Sequence, residues 1–316
     1  MGTSDKGLKV VGEHAASLHP VALVKALRPR QWIKNGLVFL PFLFSVDVAW
    51  DLDNLAPVPE MALRLVVVFL AFCALSSAVY LFNDLLDRKD DRLHPTKRHR
   101  PIASGQVGVP MAVLITAALG AGGLAVMTLV EPALGGIALL YVGINAAYSL
   151  GLKRVVLIDV LAVASGYVIR AVAGAVAIPV APSPWLYATT AAGALFIVLG
   201  RRYAEVRLAG DEAARQRPVL QQYAGPFIGQ LLMITATAAL VSYTLYTVEA
   251  ENLPENHTML LTIPFVAYGL FRYLYLLNNS NEAETPEALI SRDVPLVVSI
   301  VCWMVVAALV LVLNSS

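Results

Sequence analysis

Three aspartates with helical spacing end the second long apolar segment of the chain. Asp84, Asp87 and Asp91 belong to the charged stretch NDLLDRKDD, which begins at Asn83. Positions i, i+3 and i+7 lie within about 60° of one helix face. Convergent carboxylates at the water-exposed end of a membrane helix suit Mg²⁺, which keeps coordination positions for water and phosphates. We therefore expect a catalytic metal site formed by these aspartates, with Asn83 as a further ligand. The alternative is a solvated helix end whose charges only aid solubility.

Basic residues near these aspartates extend the hypothesis from a metal to a polyanion. Carboxylates that hold Mg²⁺ beside several cations are typical of a site for a diphosphate, because the metal bridges phosphate oxygens and the cations neutralise the remaining charge. For each basic residue from Lys97 to Arg100, anchoring at the cytoplasmic membrane surface is an equally good explanation. The candidate phosphate-binding residues are Arg30, Lys34, Lys97, Arg98, Lys153, Arg201 and Arg202.

The composition indicates an integral membrane protein. The chain has 316 residues, of which 58% are hydrophobic and 14% are charged, whereas soluble domains carry about 25% charged residues. The net charge of +1 gives no reason to expect a nucleic-acid partner. Segments of roughly 20 apolar residues predict nine transmembrane helices in a single domain that spans residues 1–316. These segments are 32–49, 61–82, 109–129, 133–151, 155–178, 184–200, 226–248, 257–277 and 293–313.

The distribution of basic residues predicts the orientation. All of the 23 basic residues except Arg64 and Arg170 fall on one side of the nine segments. The positive-inside rule makes that side cytoplasmic, so that residues 1–27 form a cytoplasmic tail and the C-terminus lies outside. Arg170 lies inside the fifth segment. Because an arginine in the membrane is costly, we expect it either in a cavity wall or in a charge pair between helices, as for Asp159 of the same segment.

Several motifs resemble the UbiA superfamily of intramembrane prenyltransferases. The pattern NDxxDxxxD after the second helix is joined by YSLGLKR at 148–154 and IDVLAVASGYVIRAVAG at 158–174. The resemblance covers nearly the whole chain. It implies an all-α fold of nine transmembrane helices around a cavity that is open to the cytoplasmic face and to the membrane. It also implies a diphosphate bound through Mg²⁺.

One departure from the family pattern is informative. The family has a second acidic motif, DxxxD, after the sixth helix, whereas this chain has LGRRYAEVRLAGDE at 199–212. Arg201 and Arg202 there favour an anion over a second metal, although an i, i+4 pair between Arg201 and Glu205 would explain one arginine without any ligand. Together with RPRQWIKN at 28–35, this resembles the branch of the family that transfers phosphoribose to decaprenyl phosphate.

That resemblance implies transfer of 5-phosphoribose from 5-phosphoribosyl 1-diphosphate to a polyprenyl phosphate in a bacterial inner membrane, for cell-wall arabinan synthesis. Glu205 would then contact ribose hydroxyls or orient an arginine, and Tyr148 would line the site or belong to the interfacial aromatic belt. Two alternatives remain open: a Mg²⁺-dependent prenyltransferase acting on an aromatic acceptor, and a transporter. The sequence leaves open whether the chain forms homo-oligomers.

Overall fold

Long apolar helices make up most of the described chain. The computed structural model describes residues 20–46, 49–50, 53–178, 180–181, 183–209, 218–223, 225–250, 253, 256–279 and 292–313. Part of the predicted N-terminal tail (1–19) and part of the predicted loop after the sixth segment (210–217) lie outside these residues. The α-helices are α1 Pro20–Leu27, α2 Leu40–Leu43, α3 Val58–Leu86, α4 Arg88–Leu93, α5 Val109–Val130, α6 Pro132–Leu150, α7 Ile158–Ala177, α8 Pro184–Ala209, α9 Phe227–Glu249, α10 Ile263–Asn279 and α11 Val294–Leu313.

Within the described residues, seven helices are long and apolar enough to cross a membrane. They are α3, α5, α6, α7, α9, α11, and α10 together with the 3-10 helix Thr258–Thr262 that precedes it. Several carry large apolar side chains that are exposed on the outside of the protein, such as Leu70 of α3, Leu114 of α5 and Ile234 of α9. A helix that exposes this much apolar surface while satisfying its own backbone hydrogen bonds is suited to lipid. The chain is therefore a helical, multi-pass membrane protein.

The first predicted segment, 32–49, does not form one long helix. The chain forms a 3-10 helix, Pro29–Phe39, followed by the four-residue helix α2. Proline at position 41 has no N–H to donate to the Leu37 carbonyl, and that carbonyl accepts the N–H of Leu40 instead. An α-helix cannot continue through this point without losing a hydrogen bond. The prediction of a regular helix over 32–49 was therefore wrong.

The sixth predicted segment, 184–200, was too short. Helix α8 continues to Ala209 and carries Arg201, Arg202 and Glu205 on a rigid element instead of a loop. Glu205 contacts both arginines, at i−4 and i−3, so that opposite charges stabilise the added turns. The charged residues of these turns explain why apolarity alone did not reveal the full length of the helix.

The 3-10 helix Pro29–Phe39 is held against the long helices of the protein. That helix packs on α7 and α3, and Val38 joins a buried core with Phe72 of α3, Tyr141 of α6 and Ile169 of α7. The contact with α7 requires a glycine, because a Cβ atom at Gly174 would lie 2.0 Å from the Val38 carbonyl oxygen. This close approach fixes the segment that carries Lys34 and Asn35 against the transmembrane helices.

Candidate functional site

A polar cavity of about 270 Å³ lies among the 3-10 helix Pro29–Phe39, α3, α6, α7 and α8. Its wall on α6 runs from Ser149 to Tyr141, and its wall on α7 runs from Ala162 to Arg170. Eight residues of α-helix correspond to about 12 Å, so the cavity enters the membrane-spanning region by about that depth. We call the end near Asp87, Arg100 and Lys153 the mouth, and the end near Tyr141 and Arg170 the floor.

Basic side chains dominate the charge of this cavity. Asp87 is its only acidic lining residue within the described part of the chain. Such an excess of cations is suited to an anionic ligand with several phosphate groups. The basic lining residues are Arg28, Lys34, Arg100, Lys153, Arg170, Arg201 and Arg202.

Three of the four aspartates of NDLLDRKDD are held in ion pairs around the mouth. Asp84 accepts hydrogen bonds from Arg28 at 2.6 Å and from Arg100 at 3.1 Å. The same Arg100 Nη1 donates to Asp91 at 2.8 Å, and Lys153 Nζ donates to Asp87 at 2.7 Å. Asp84 and Asp91 are almost fully buried, whereas the Asp87 side chain is 28% exposed. The aspartates therefore fix three of the cavity's cations in place.

The oxygen donors that face the cavity fit a magnesium ion in type and number. Asn83 and Asp87 both line the mouth, and Mg²⁺ usually takes one or two protein carboxylates and fills its other positions with water and phosphate. Asp84 and Asp91 lie behind the wall, paired with Arg28 and Arg100. Among the described residues, no three His, Cys, Asp or Glu side chains form a ready metal-binding group. The four-ligand magnesium site stays a prediction.

Arg202 is positioned by a buried network that sequence analysis did not find. Its Nε donates to Asp159 at 2.9 Å and its Nη1 donates to Glu205 at 2.6 Å, while Tyr148 lies 3.4 Å from Nη2. Asp159 is completely buried, and its second oxygen accepts the hydroxyl of Tyr223 at 2.5 Å. Burial and this hydrogen bond raise the pKa of Tyr223 above its ordinary value. The network aims a fixed guanidinium at the cavity.

Arg170 forms the floor of the cavity without a carboxylate partner in the described part of the chain. Nε donates to the Asn35 side-chain oxygen at 2.6 Å, Nη1 to the Gly166 carbonyl at 2.5 Å and Nη2 to the Tyr141 hydroxyl at 3.0 Å. The rings of Phe72 and Tyr141 lie 5.8 and 4.9 Å from the guanidinium carbon. Of the two expectations for this residue, the position in a cavity wall is confirmed, and no charge pair between helices is found for it among the described residues.

An apolar pocket adjoins the polar cavity. It has a volume of about 220 Å³ and lies between α8, α10 and α11, with Phe196, Leu270 and Trp303 among its lining residues. Ile197 of α8 lines both this pocket and the polar cavity. One turn before it, Gly193 faces the pocket, and one turn after it, Arg201 faces the cavity. A single face of α8 thus passes from an apolar to a cationic environment.

Comparison with known proteins agrees with this architecture. Residues 38–292 match the model of the UbiA prenyltransferase family. The chain belongs to that family. A UbiA homolog from Archaeoglobus fulgidus, solved with DMAPP and Mg²⁺, aligns with a TM-score of 0.68 at 18% identity, covering 92% of this chain and 99% of the other. The UbiA fold predicted from the motifs is therefore confirmed.

Two UbiA relatives are similar over most of their length. A decaprenyl-phosphate phosphoribosyltransferase of Mycolicibacterium smegmatis is 33% identical over 291 residues, which cover 89% of this chain and 90% of the relative. The enzyme of the same name from Mycobacterium tuberculosis is 34% identical over 282 residues, which cover 89% of this chain and 91% of the relative.

About half of the sequence-predicted site residues line the polar cavity. Those that line it are Asn83, Asp87, Lys34, Tyr148, Lys153, Arg201 and Arg202. Asp84, Asp91 and Glu205 lie outside the lining and hold its cations. Arg30 and Arg98 are exposed, and Lys97 is also outside the lining.

The cavity residues missing from the sequence-predicted set include Arg28, Asn145, Arg100 and Arg170. Asn145 and Arg170 carry a usable signal, because each is a strongly polar residue inside an otherwise apolar helix. Arg28 and Arg100 carry a weaker one, since many basic residues occupy the same segments.

Proposed function

We propose that this protein transfers 5-phosphoribose from 5-phosphoribosyl 1-diphosphate to a polyprenyl phosphate and releases diphosphate. The observation that carries the proposal is the cationic cavity with an apolar pocket beside it, joined at Ile197. The names of the relatives supply the identity of the sugar donor and make decaprenyl phosphate the expected lipid.

The number of cations favours this reaction over prenylation of an aromatic ring. Aromatic prenylation brings one diphosphate to the site, whereas the proposed reaction brings a diphosphate, a 5-phosphate and a lipid phosphate. The cavity offers arginines on α8 where the family's second acidic motif is expected, and Arg201 and Arg202 both line it. Guanidinium groups hold phosphates through paired N–H donors. The apolar pocket is suited to the isoprenoid chain next to the lipid phosphate.

Magnesium belongs to the proposal, with Asn83 and Asp87 as the residues that would hold it from the cavity wall. When bound, it would neutralise part of the charge on the diphosphate leaving group. Asp84 and Asp91 stay predicted ligands, although both are paired with arginines.

The remaining chemistry is mainly a matter of orientation and charge. The bond between ribose C1 and the diphosphate oxygen breaks, and a bond forms between C1 and an oxygen of the lipid phosphate. This phosphate is already anionic at neutral pH, so no general base is required. Lys34, Arg201 and Arg202 hold phosphate groups, and Glu205 orients the two arginines. Fixed donors of this kind accelerate a reaction because they need little reorganisation.

The proposal places the protein in a bacterial inner membrane as one domain, with the N-terminus and the cavity mouth on the cytoplasmic side. Support comes from the basic residues at the ends of the helices that surround the mouth. The product would serve cell-wall arabinan synthesis.

The direct test uses purified protein in lipid nanodiscs with labelled 5-phosphoribosyl 1-diphosphate and decaprenyl phosphate, with and without Mg²⁺. We expect a ribosylated lipid that depends on Mg²⁺. Asp87→Asn should lower the rate by about a hundredfold or more. Asp90→Asn, at an exposed carboxylate on α4, is the matched control. Absence of ribosylated lipid in the wild type, with prenylation of an aromatic acid instead, would replace this proposal by the aromatic prenyltransferase.

A further inference from the structure

Arg170 differs from the cations at the mouth in the partners it has. Arg28, Arg100, Lys153, Arg201 and Arg202 each contact at least one carboxylate. The hydrogen-bond partners of Arg170 are an amide oxygen, a backbone carbonyl and a tyrosine hydroxyl. All three are neutral acceptors, and Arg170 is only 5% exposed. Its charge is therefore solvated by dipoles but not balanced by any carboxylate of the described residues.

A buried cation without a counter-charge is expensive, and intramembrane arginines normally face a partner or a polar cavity. Arg170 faces a cavity. A guanidinium carries five N–H donors, and the three hydrogen bonds named above use one on each nitrogen. Two N–H donors of the guanidinium are left over, one on Nη1 and one on Nη2, and guanidinium N–H groups bind phosphate oxygens strongly.

The surroundings of Arg170 fix the guanidinium in one orientation. Asn35 holds Nε, and Asn35 itself is fully buried, with Cys73 and Ser76 as acceptors of its amide N–H groups. Gly166 leaves room for the guanidinium, since a Cβ atom there would lie 3.1 Å from Nη1. A rigid guanidinium loses little conformational freedom on binding a ligand.

We propose that Arg170 binds a phosphate monoester of one substrate at the cavity floor, about 12 Å from the mouth. This inference rests on the proposed function and deepens it. Two groups in the reaction have this chemistry, namely the 5-phosphate of the sugar donor and the phosphate of the lipid acceptor. The substrate supplies the counter-charge that the protein does not provide.

The most discriminating variant is Asn35→Asp, which places a carboxylate on Arg170 without removing the guanidinium. The internal carboxylate competes with the substrate phosphate. We expect the KM for one substrate to rise about ten- to a hundredfold, while the melting temperature stays the same or rises. Arg170→Gln should raise the same KM, and Arg170→Lys should restore part of the affinity. Arg64→Gln, at an exposed arginine paired with Glu60, is the control for loss of one basic residue.

The measurement separates the two sources of the phosphate. A KM change confined to the sugar donor assigns Arg170 to the 5-phosphate, and a KM change confined to decaprenyl phosphate assigns it to the lipid. If Arg170→Gln does not fold, Asn35→Asp and Gly166→Ala still test the site, because Gly166→Ala displaces Nη1. Unchanged KM values for both substrates in a folded Asn35→Asp protein would overturn the inference.

A binding assay distinguishes failure of this inference from failure of the proposed function. Stabilisation of the protein against heat by inorganic phosphate is measured for the wild type and for Asn35→Asp. Suppose that the wild type transfers no phosphoribose, but that inorganic phosphate stabilises the wild type more than it stabilises Asn35→Asp. The anion site at Arg170 is then supported and the proposed reaction is refuted. If ribose transfer occurs and the variant matches the wild type in phosphate response and both KM values, the reaction stands and the Arg170 site falls.

Discussion

Replacing Gly174 by alanine tests how the 3-10 helix Pro29–Phe39 is held against α7. The added Cβ would lie 2.0 Å from the Val38 carbonyl oxygen, whereas real Cβ contacts essentially never fall below 3.0 Å. One backbone must therefore move by about 1 Å. Overpacking of this kind costs roughly 1–3 kcal/mol, and an atom of the backbone cannot rotate away as a side chain does. The higher helix propensity of alanine relative to glycine offsets about 1 kcal/mol of this cost.

The expected net result is a loss of up to about 2 kcal/mol in the free energy of unfolding for Gly174→Ala. The matched control is Gly136→Ala in α6, where a Cβ meets nothing within 4 Å. That variant should be neutral or more stable by up to about 1 kcal/mol. Equilibrium unfolding in detergent measures both values. Because the displaced segment carries Lys34 and Asn35, the ribosyl transfer rate should also fall in Gly174→Ala alone. Equal stability of the two variants would refute the close-contact argument.

The buried network, the apolar pocket and the metal each allow a separate test. Asp159→Asn should destabilise the protein by about 3 kcal/mol. Tyr223→Phe should cost less, because it removes two hydrogen bonds, the one donated to Asp159 and the one accepted from the Leu157 N–H, worth about 1–3 kcal/mol together; thermal unfolding of both variants checks the order, and the reverse order would contradict the network around Arg202. Leu270→Trp should raise the KM for decaprenyl phosphate and leave that for the sugar donor within about twofold, because Leu270 lines the apolar pocket and not the polar cavity; steady-state kinetics with each substrate varied tests this, and equal changes in both values would contradict it. Chelation by EDTA should abolish transfer without unfolding the protein, since Asp87 is already paired with Lys153; circular dichroism beside the transfer assay shows whether both parts hold.

The predicted helices agree with the structure where a run of apolar residues is continuous, and they differ from it where a proline or charged residues interrupt the run. Seven of the nine predicted segments correspond to helices that can span a membrane, because a run of about 20 apolar residues has few alternatives in lipid. Pro41 interrupts the first segment through its missing N–H. Arg201, Arg202 and Glu205 extend the sixth because they pair with one another along the helix. Hydropathy does not register either effect.

The site was predictable as a set of residue types and not as a set of contacts. Helical spacing predicted Asp84, Asp87 and Asp91 on one face at the end of α3 and the start of α4. It did not reveal that Asp87 alone of the three faces the cavity, because one partner of Asp84, Arg28, lies 56 residues earlier in the chain. Contacts between distant segments depend on how the helices pack, which local spacing does not encode. Arg170 was recognisable as a charge inside a helix, but its neutral partners were not.

Charge balance links the paired carboxylates to the metal requirement. Among the described residues, seven basic side chains line the cavity, and the carboxylates that contact them leave at most two of those charges unbalanced. These carboxylates are Asp84, Asp87, Asp91, Asp159 and Glu205. A phosphate monoester carries a charge of about −1.5 to −2. The unbalanced positive charge of the cavity therefore neutralises at most about one such group, whereas the two proposed substrates bring a diphosphate and two monoesters. A divalent cation is the simplest further source of positive charge, and Asn83 and Asp87 line the part of the cavity where it is needed. In this arrangement Arg170 at the floor balances the charge of one phosphate monoester, while the mouth binds the diphosphate leaving group.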